Sequence, residues 1–383
     1  MNIFLYSFII FIAAFKYNLN GNDDWWWSAW ALSCLFGLIM LSIELFKRIH
    51  WSVVVLLFWS ILSWIFIVPW YDNFYTNINP SLRSIIAYHS SHGTMCLMFL
   101  IFIFLFNYKR LNVFRNAFLT LCVANSIYVI CQWINGNQFL FRGGFCGNAS
   151  INGCLIAFTY PLVLDFCFHQ RTKLQEHINI LSKSIMIIAP IVAIFCTKTS
   201  VPAGTLLVAT SSFLFFRIRN IKLKIIIPVI IISLILLTGY LIDPSNFFDD
   251  AARFKLYDIA IDSFFTYRNI WFGSGTATFP FFGIVNQQNA NVMVGSWAIW
   301  LHNDWIQIMY ENGIIGLGLA LSTFIFFIWY AIKKSKYTIL SCGLAYAASM
   351  VFDYPMHYPL QAMFGIFLIC EIFLKKLISR NIV

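Results

Sequence analysis

Apolar runs close to 20 residues long recur along almost the whole chain, and about 20 apolar residues is the length of helix that crosses the hydrocarbon core of a bilayer. In lipid every backbone N–H and C=O needs an internal partner, which such runs supply by coiling into helices. The chain is 60% hydrophobic and only 10% charged, with a mean hydropathy of +0.77, too little charge for a soluble domain. The expected fold is all-α: a polytopic membrane helix bundle, one domain over residues 1–383. About 12 transmembrane helices are expected, at roughly 3–17, 28–46, 51–70, 85–106, 112–134, 150–168, 178–197, 201–217, 224–242, 304–330, 338–353 and 359–375. The first run has no basic start and no small-residue cleavage pattern, so it reads as a retained span.

The net charge is +10. In a soluble protein that would point to nucleic acid; here orientation in the membrane explains it, and no nucleic-acid partner is expected. Eighteen of the 25 Lys and Arg residues fall in alternate connections, including Lys47-Arg48, Lys109-Arg110 with Arg115, Arg217 with Arg219, Lys333-Lys334 and Lys375-Lys376. Basic residues stay cytoplasmic, which places both termini inside an even number of spans. The other connections carry Asp, Asn, Gly and aromatics, among them Asp23-Asp24-Trp25-Trp26-Trp27 and Asp353-Tyr354-Pro355-Met356-His357. Polar chemistry is therefore expected on the outer face.

The only long polar segment, residues 243–303, lies on that face. Within it Phe254, Tyr257, Ile261, Phe264 and Phe265 recur at helical spacing, with Lys255, Asp258 and Asp262 on one flank and Arg253 on the other. This predicts an amphipathic helix on the membrane surface. Asn269 to Gly275 follows as a Gly-bearing turn. The segment closes on Leu301-His302-Asn303-Asp304, where a hydrophobic span begins. Asp304, Gln307 and Glu311 lie within about 60° on that helix, a polar stripe expected to face the bundle interior.

The candidate chemistry follows from these positions. Outer cations, namely Arg142, Lys198, Arg253, Lys255 and Arg268, suit the phosphate oxygens of a lipid-linked diphosphate. His302 is an imidazole expected to titrate near neutrality and to take a proton from an incoming hydroxyl. Asp304 or Asp353 could orient it, and His357 lies near the same face. No zinc-ligand spacing, serine elbow, P-loop or dinucleotide fingerprint is found. The ten cysteines are scattered and form no CxxC pair.

Four stretches together carry a resemblance. His302-Asn303-Asp304 runs into Glu311-Asn312-Gly313-Ile314-Ile315-Gly316. The segment from Arg253 leads to Trp271-Phe272-Gly273-Ser274-Gly275. Arg142-Gly143-Gly144-Phe145 with Gly147-Asn148 enters a span, and Asp353-Tyr354-Pro355 lies between the last two spans. In this order they resemble the superfamily of O-antigen ligases and O-antigen polymerases. The resemblance implies transfer of a glycan from an undecaprenyl-diphosphate carrier to an acceptor hydroxyl at the periplasmic face of the bacterial inner membrane. It implies no metal, no cofactor and no nucleotide sugar. His302 takes the place of the family's base, and Arg253 that of the Arg gripping the diphosphate. A second family Arg follows Ser or Thr at an outer turn. Here that turn reads Thr199-Ser200-Val201, leaving Lys198 as a point charge that cannot form a bidentate fork. The motifs leave open whether the acceptor is a lipid A core sugar, another carrier-linked glycan or a protein. A reading of a different class, a secondary transporter, also accommodates twelve spans.

Overall fold

The computed structural model describes residues 111–136, 143–168, 180–218, 251–267, 270–274 and 300–373, with isolated positions between them. The first four expected spans, nearly all of the span expected at 224–242, Arg142 and Arg268 lie outside the described residues. The described chain is all-α, with eight α-helices: α1 (Leu111–Ile134), α2 (Ala149–Phe168), α3 (Ile180–Thr197), α4 (Ser200–Arg217), α5 (Ala251–Tyr267), α6 (Asp304–Lys333), α7 (Tyr337–Phe352) and α8 (Pro359–Phe373). Single 3₁₀ turns at Gly144–Cys146 and Pro355–His357 precede α2 and α8. Helices α1, α2, α3 and α6 are long and apolar enough to cross a membrane; α7 and α8 are apolar but shorter. These helices start and end within about three residues of the spans expected from hydropathy.

Helix α2 is the axis of the bundle. It is apolar all round, and its residues from Ile151 to Asp165 are buried against α1, α3, α4 and α7, as a helix without a polar face requires. Side-chain bonds fix its register. Asn125 of α1 donates to Asn152 at 2.7 Å, and Tyr160 donates to the carbonyl of Ile187 in α3 at 3.1 Å. By contrast, α3 exposes Ile185, Ile188 and Val192, and α6 exposes Leu321, Ile325, Trp329 and Ile332. Apolar stripes at helical spacing are what a helix presents to lipid.

One end of α2 is held by charge. Asp165 bonds both Arg115 of α1 and Arg217 of α4, and Arg217 also donates to Thr338 of α7 at 3.3 Å. Both arginines were expected in basic connections; instead they sit within helices with three-quarters of their side chains covered. The reason is Asp165, a carboxylate one turn before the end of α2, which draws both guanidiniums into the bundle.

Helix α5 forms where expected but buries a different face. Leu256, Tyr257, Ala260 and Phe264 pack with Leu301 and Tyr310, whereas Phe254 and Phe265 stay exposed. Contact with the start of α6 outweighs the aromatic flank, because it seals more apolar surface from water.

Helix α6 is broken. Gly313 has φ +69 and ψ −173, some nine residues and about 14 Å from the helix start. The amides of Ile314 and Ile315, which lose their partners one turn back, donate to the carbonyls of Ile270 (2.9 Å) and Trp271 (3.3 Å). In return the Tyr310 carbonyl accepts from the Ser274 amide (2.9 Å) and hydroxyl (3.0 Å). The chain at Gly273, φ +73, lies against this break. A Cβ at Gly273 would come 2.5 Å from the Gly313 amide, and one at Gly313 would come 2.2 Å from the Trp271 carbonyl. Both positions therefore exclude side chains by conformation and by space.

Two outcomes follow. Asp165→Ala leaves two covered guanidiniums without their carboxylate and should cost about 3 kcal/mol, read as a lower unfolding temperature of the detergent-purified protein. Gly313→Ala and Gly273→Ala should each lose at least about 1–3 kcal/mol from backbone strain alone. Protease sensitivity of the segment around Trp271 should rise in both.

Candidate active site

The start of α6 is set by three local devices. Asn303 is an N-cap: its side-chain oxygen accepts from the Ile306 amide at 3.0 Å, satisfying one of the open amides of the first turn. His302 takes a left-handed backbone, φ +56, and its carbonyl accepts from the Tyr257 hydroxyl of α5 at 2.8 Å. Asp304 is buried and accepts from the Met356 amide at 2.9 Å. The loop before α6 is thus tied to α5 on one side and to the α7–α8 turn on the other.

The polar stripe faces inward as expected, but its partners are mainly loop backbone. Gln307 accepts from the Leu301 amide at 3.2 Å and donates to Glu311 at 3.1 Å. Glu311 also accepts from the Phe279 amide at 3.2 Å. Both side chains are fully buried, and they anchor the chain before α6 onto the helix.

Around this anchor the structure brings together several of the predicted site residues. Arg253 of α5 donates to the Phe352 carbonyl at 3.0 Å, at the C-terminal end of α7 where a cation is favoured. The next residue, Asp353, is buried; it accepts from the Ser150 hydroxyl at the start of α2 at 2.9 Å and from the Tyr354 amide at 3.0 Å. The His302 ring meets the Tyr354 ring edge to face, 4.6 Å between centroids. His357 stacks on Trp300 at 4.0 Å, and its Nε2 lies 3.2 Å from Asp304, without hydrogen-bond geometry.

The Gly143–Asn148 turn is anchored nearby. The Gly144 amide donates to Gln132 at 3.1 Å and the Phe145 amide to Asn125 at 3.0 Å. The Ser150–Asp353 bond then joins the entry of α2 to the α7–α8 turn.

Other predicted residues are placed apart. Lys255 is exposed, and two residues along a helix from Arg253 it points about 200° away. Lys198 is exposed at the α3–α4 turn with φ +53 and makes no ion pair among the described residues.

Electrostatics revise the role foreseen for His302. Burial first, and the Arg253 charge second, push its imidazole down to about 3, so it is neutral at physiological pH and does not titrate near neutrality. Its Nδ1 is buried and has no hydrogen-bond partner among the described residues. Burial likewise pushes His357 down to about 3. Asp353 moves the other way. Burial lifts it to about 6, outweighing the lowering by its hydrogen bonds and by Arg253. The sequence gives no site role to Trp300, Tyr354 or Tyr257, whose apolar or neutral character carries no signal of chemistry.

The imidazole nitrogens of ¹⁵N-histidine-labelled protein in nanodiscs should show His302 neutral from pH 5 to pH 8; a midpoint near 6.5 would contradict its burial. The unfolded chain takes up that proton near 6.5 and the folded chain does not. The His302 contribution to stability is therefore lost as pH falls from 6.5 toward 3, and His302→Gln should flatten that loss. No protein-family model matches this sequence, and no curated protein matches it.

Proposed function

We propose that this chain is a multi-pass inner-membrane glycosyltransferase of the O-antigen ligase kind, acting at the periplasmic face on an undecaprenyl-diphosphate-linked glycan. In this reading about 12 spans carry it across the bilayer, both termini are cytoplasmic, and residues 243–303 form the periplasmic loop. The convergence of Arg253, His302 and Asp353 at the junction of α5, α6 and α7 carries the reading.

The chemistry balances with these groups alone. The acceptor hydroxyl oxygen attacks the anomeric carbon, the bond from that carbon to the diphosphate oxygen breaks, and the diphosphate leaves with the bonding electrons. Arg253 stabilises the charge that builds on the leaving group, and His302 receives the acceptor's proton. Burial and the Arg253 charge make the imidazole a weak base. A bound diphosphate offsets the Arg253 charge and adds its own negative field, so substrate binding raises the basicity of His302 when a base is needed. The carrier diphosphate is already an activated leaving group, so positioning and charge stabilisation supply most of the rate.

The transporter reading draws on the break in α6, since discontinuous helices bind cargo in many transporters. Here the chain's own backbone, Ile270 to Ser274, fills that break, which favours the transferase. Polymerisation onto a carrier-linked glycan, and transfer to protein, use the same chemistry.

His302→Ala and Arg253→Ala should each abolish glycan transfer while membrane insertion persists; full complementation by either in a deletion strain would remove that residue from the site. Lys198→Ala should impair transfer if this Lys replaces the missing Arg, and full activity would make it a bystander. On a lipopolysaccharide gel, loss of all attached chain in the deletion strain identifies a ligase and a single attached repeat a polymerase.

A further inference from the structure

The apolar stripe of α6 has two marked ends. Ile314, Leu321, Ile325, Trp329 and Ile332 are exposed and lie within about 80° of one another on the helix. At the inner end the Lys333 ammonium stands 4.9 Å from the centre of the Trp329 ring, a pairing of indole and cation suited to a lipid–water boundary. At the outer end the Ile314 amide bonds the Ile270 carbonyl, and the Ile315 amide bonds that of Trp271. The loop residues carried there, Trp271 and Phe272, are 62% and 52% exposed. From Ile314 to Lys333 the helix is about 30 Å long, the thickness of the hydrocarbon core of a bilayer. The half of α6 before Gly313 does not lengthen this crossing. Trp305 and Phe324 would stand about 28 Å apart along a straight helix, yet their ring centroids are 5.9 Å apart. Trp305 also donates to the Ala347 carbonyl of α7 at 3.2 Å. Residues 304–312 therefore fold back toward the bundle, and the break at Gly313 is the outermost point of α6.

We infer that Trp271 and Phe272 dock the Ile270–Ser274 segment onto the bilayer, in the glycerol and headgroup zone of the outer lipid–water boundary, one membrane thickness from the Trp329–Lys333 pair. The partner is phospholipid. The inference goes beyond the transferase reading and shares with it only the orientation that makes this end the periplasmic one. An indole suits that zone because its body is apolar and its N–H is polar. Irregular backbone is tolerated beside hydrocarbon only where its polar groups are bonded within the protein. Here the Ile270 and Trp271 carbonyls and the Ser274 amide all bond α6, so the side chains reach lipid without bringing bare peptide groups with them. Two side chains thus fix the height of the segment between α5 and α6 against the membrane, whatever chemistry the nearby junction performs.

The test uses the full-length protein in nanodiscs of phosphatidylethanolamine and phosphatidylglycerol. A photoreactive p-benzoylphenylalanine replaces Phe272, Ile325 or Asp262 in turn. All three side chains are exposed, so the fold does not depend on them. Irradiation followed by mass spectrometry should give phospholipid adducts from the Phe272 and Ile325 positions and none from the Asp262 position on α5. Fragmentation should place the adduct from the Phe272 position on the glycerol or upper acyl carbons and that from the Ile325 position deeper in the acyl chain. Absence of a phospholipid adduct from the Phe272 or the Ile325 position, or an equal yield from the Asp262 position, would overturn the inference. A crosslinked dimer of the protein in place of the lipid adduct would also overturn it, by making Trp271 and Phe272 a contact between copies. None of these readouts measures glycan transfer, so each outcome leaves the transferase reading standing, and failure of that reading leaves the docking intact.

Discussion

The hydrogen bonds exchanged between α6 and the Ile270–Ser274 segment are the constraint on which the site depends. A helix broken among apolar neighbours leaves amides that cannot be left bare, since an unsatisfied group there costs several kcal/mol. Here the loop backbone replaces the missing turn: Ile270 and Trp271 accept, and Ser274 donates. The loop is thereby pinned to a fixed depth of α6. Tyr257 closes the other side by bonding the His302 carbonyl, and Arg253, one turn earlier on α5, is carried to the end of α7. Two glycines and one tyrosine thus set where the cation stands relative to the imidazole.

The two ends of the bundle treat charge differently. At the Asp165 end, one carboxylate gathers two arginines and closes four helices on each other through Thr338. At the His302 end the acids are spent on backbone amides, Asp304 on Met356 and Glu311 on Phe279. The Arg253 field is instead felt by His302 and Asp353. A positive potential at the C-terminal end of α7 suits an anionic visitor.

Helix positions were legible because length and hydropathy alone decide them in lipid, and α1 to α4 and α6 to α8 fall where the apolar runs lie. The inward stripe was legible from the spacing of Asp304, Gln307 and Glu311. The buried face of α5 was not. Its aromatic spacing favours Phe254 and Phe265, but which flank packs depends on Leu301 and Tyr310, brought in from far along the chain. Asp165 was hidden because a lone Asp near the end of an apolar run reads as a boundary. The His302 imidazole was misjudged for a similar reason: burial and the approach of Arg253 are tertiary facts, and an isolated histidine titrates near 6.5.

The glycines bear on the family resemblance in a particular way. The motifs around Gly273 and Gly313 look like two separate points of similarity in the sequence, yet in space they meet at one contact that admits no Cβ on either side. They express a single requirement, that a loop can be laid into a broken helix. As points of resemblance they therefore count once, and they say nothing about sugars or phosphates. The chemical reading rests on other residues: a cation, an imidazole and a buried acid, which the interlocked backbone holds together but does not itself require.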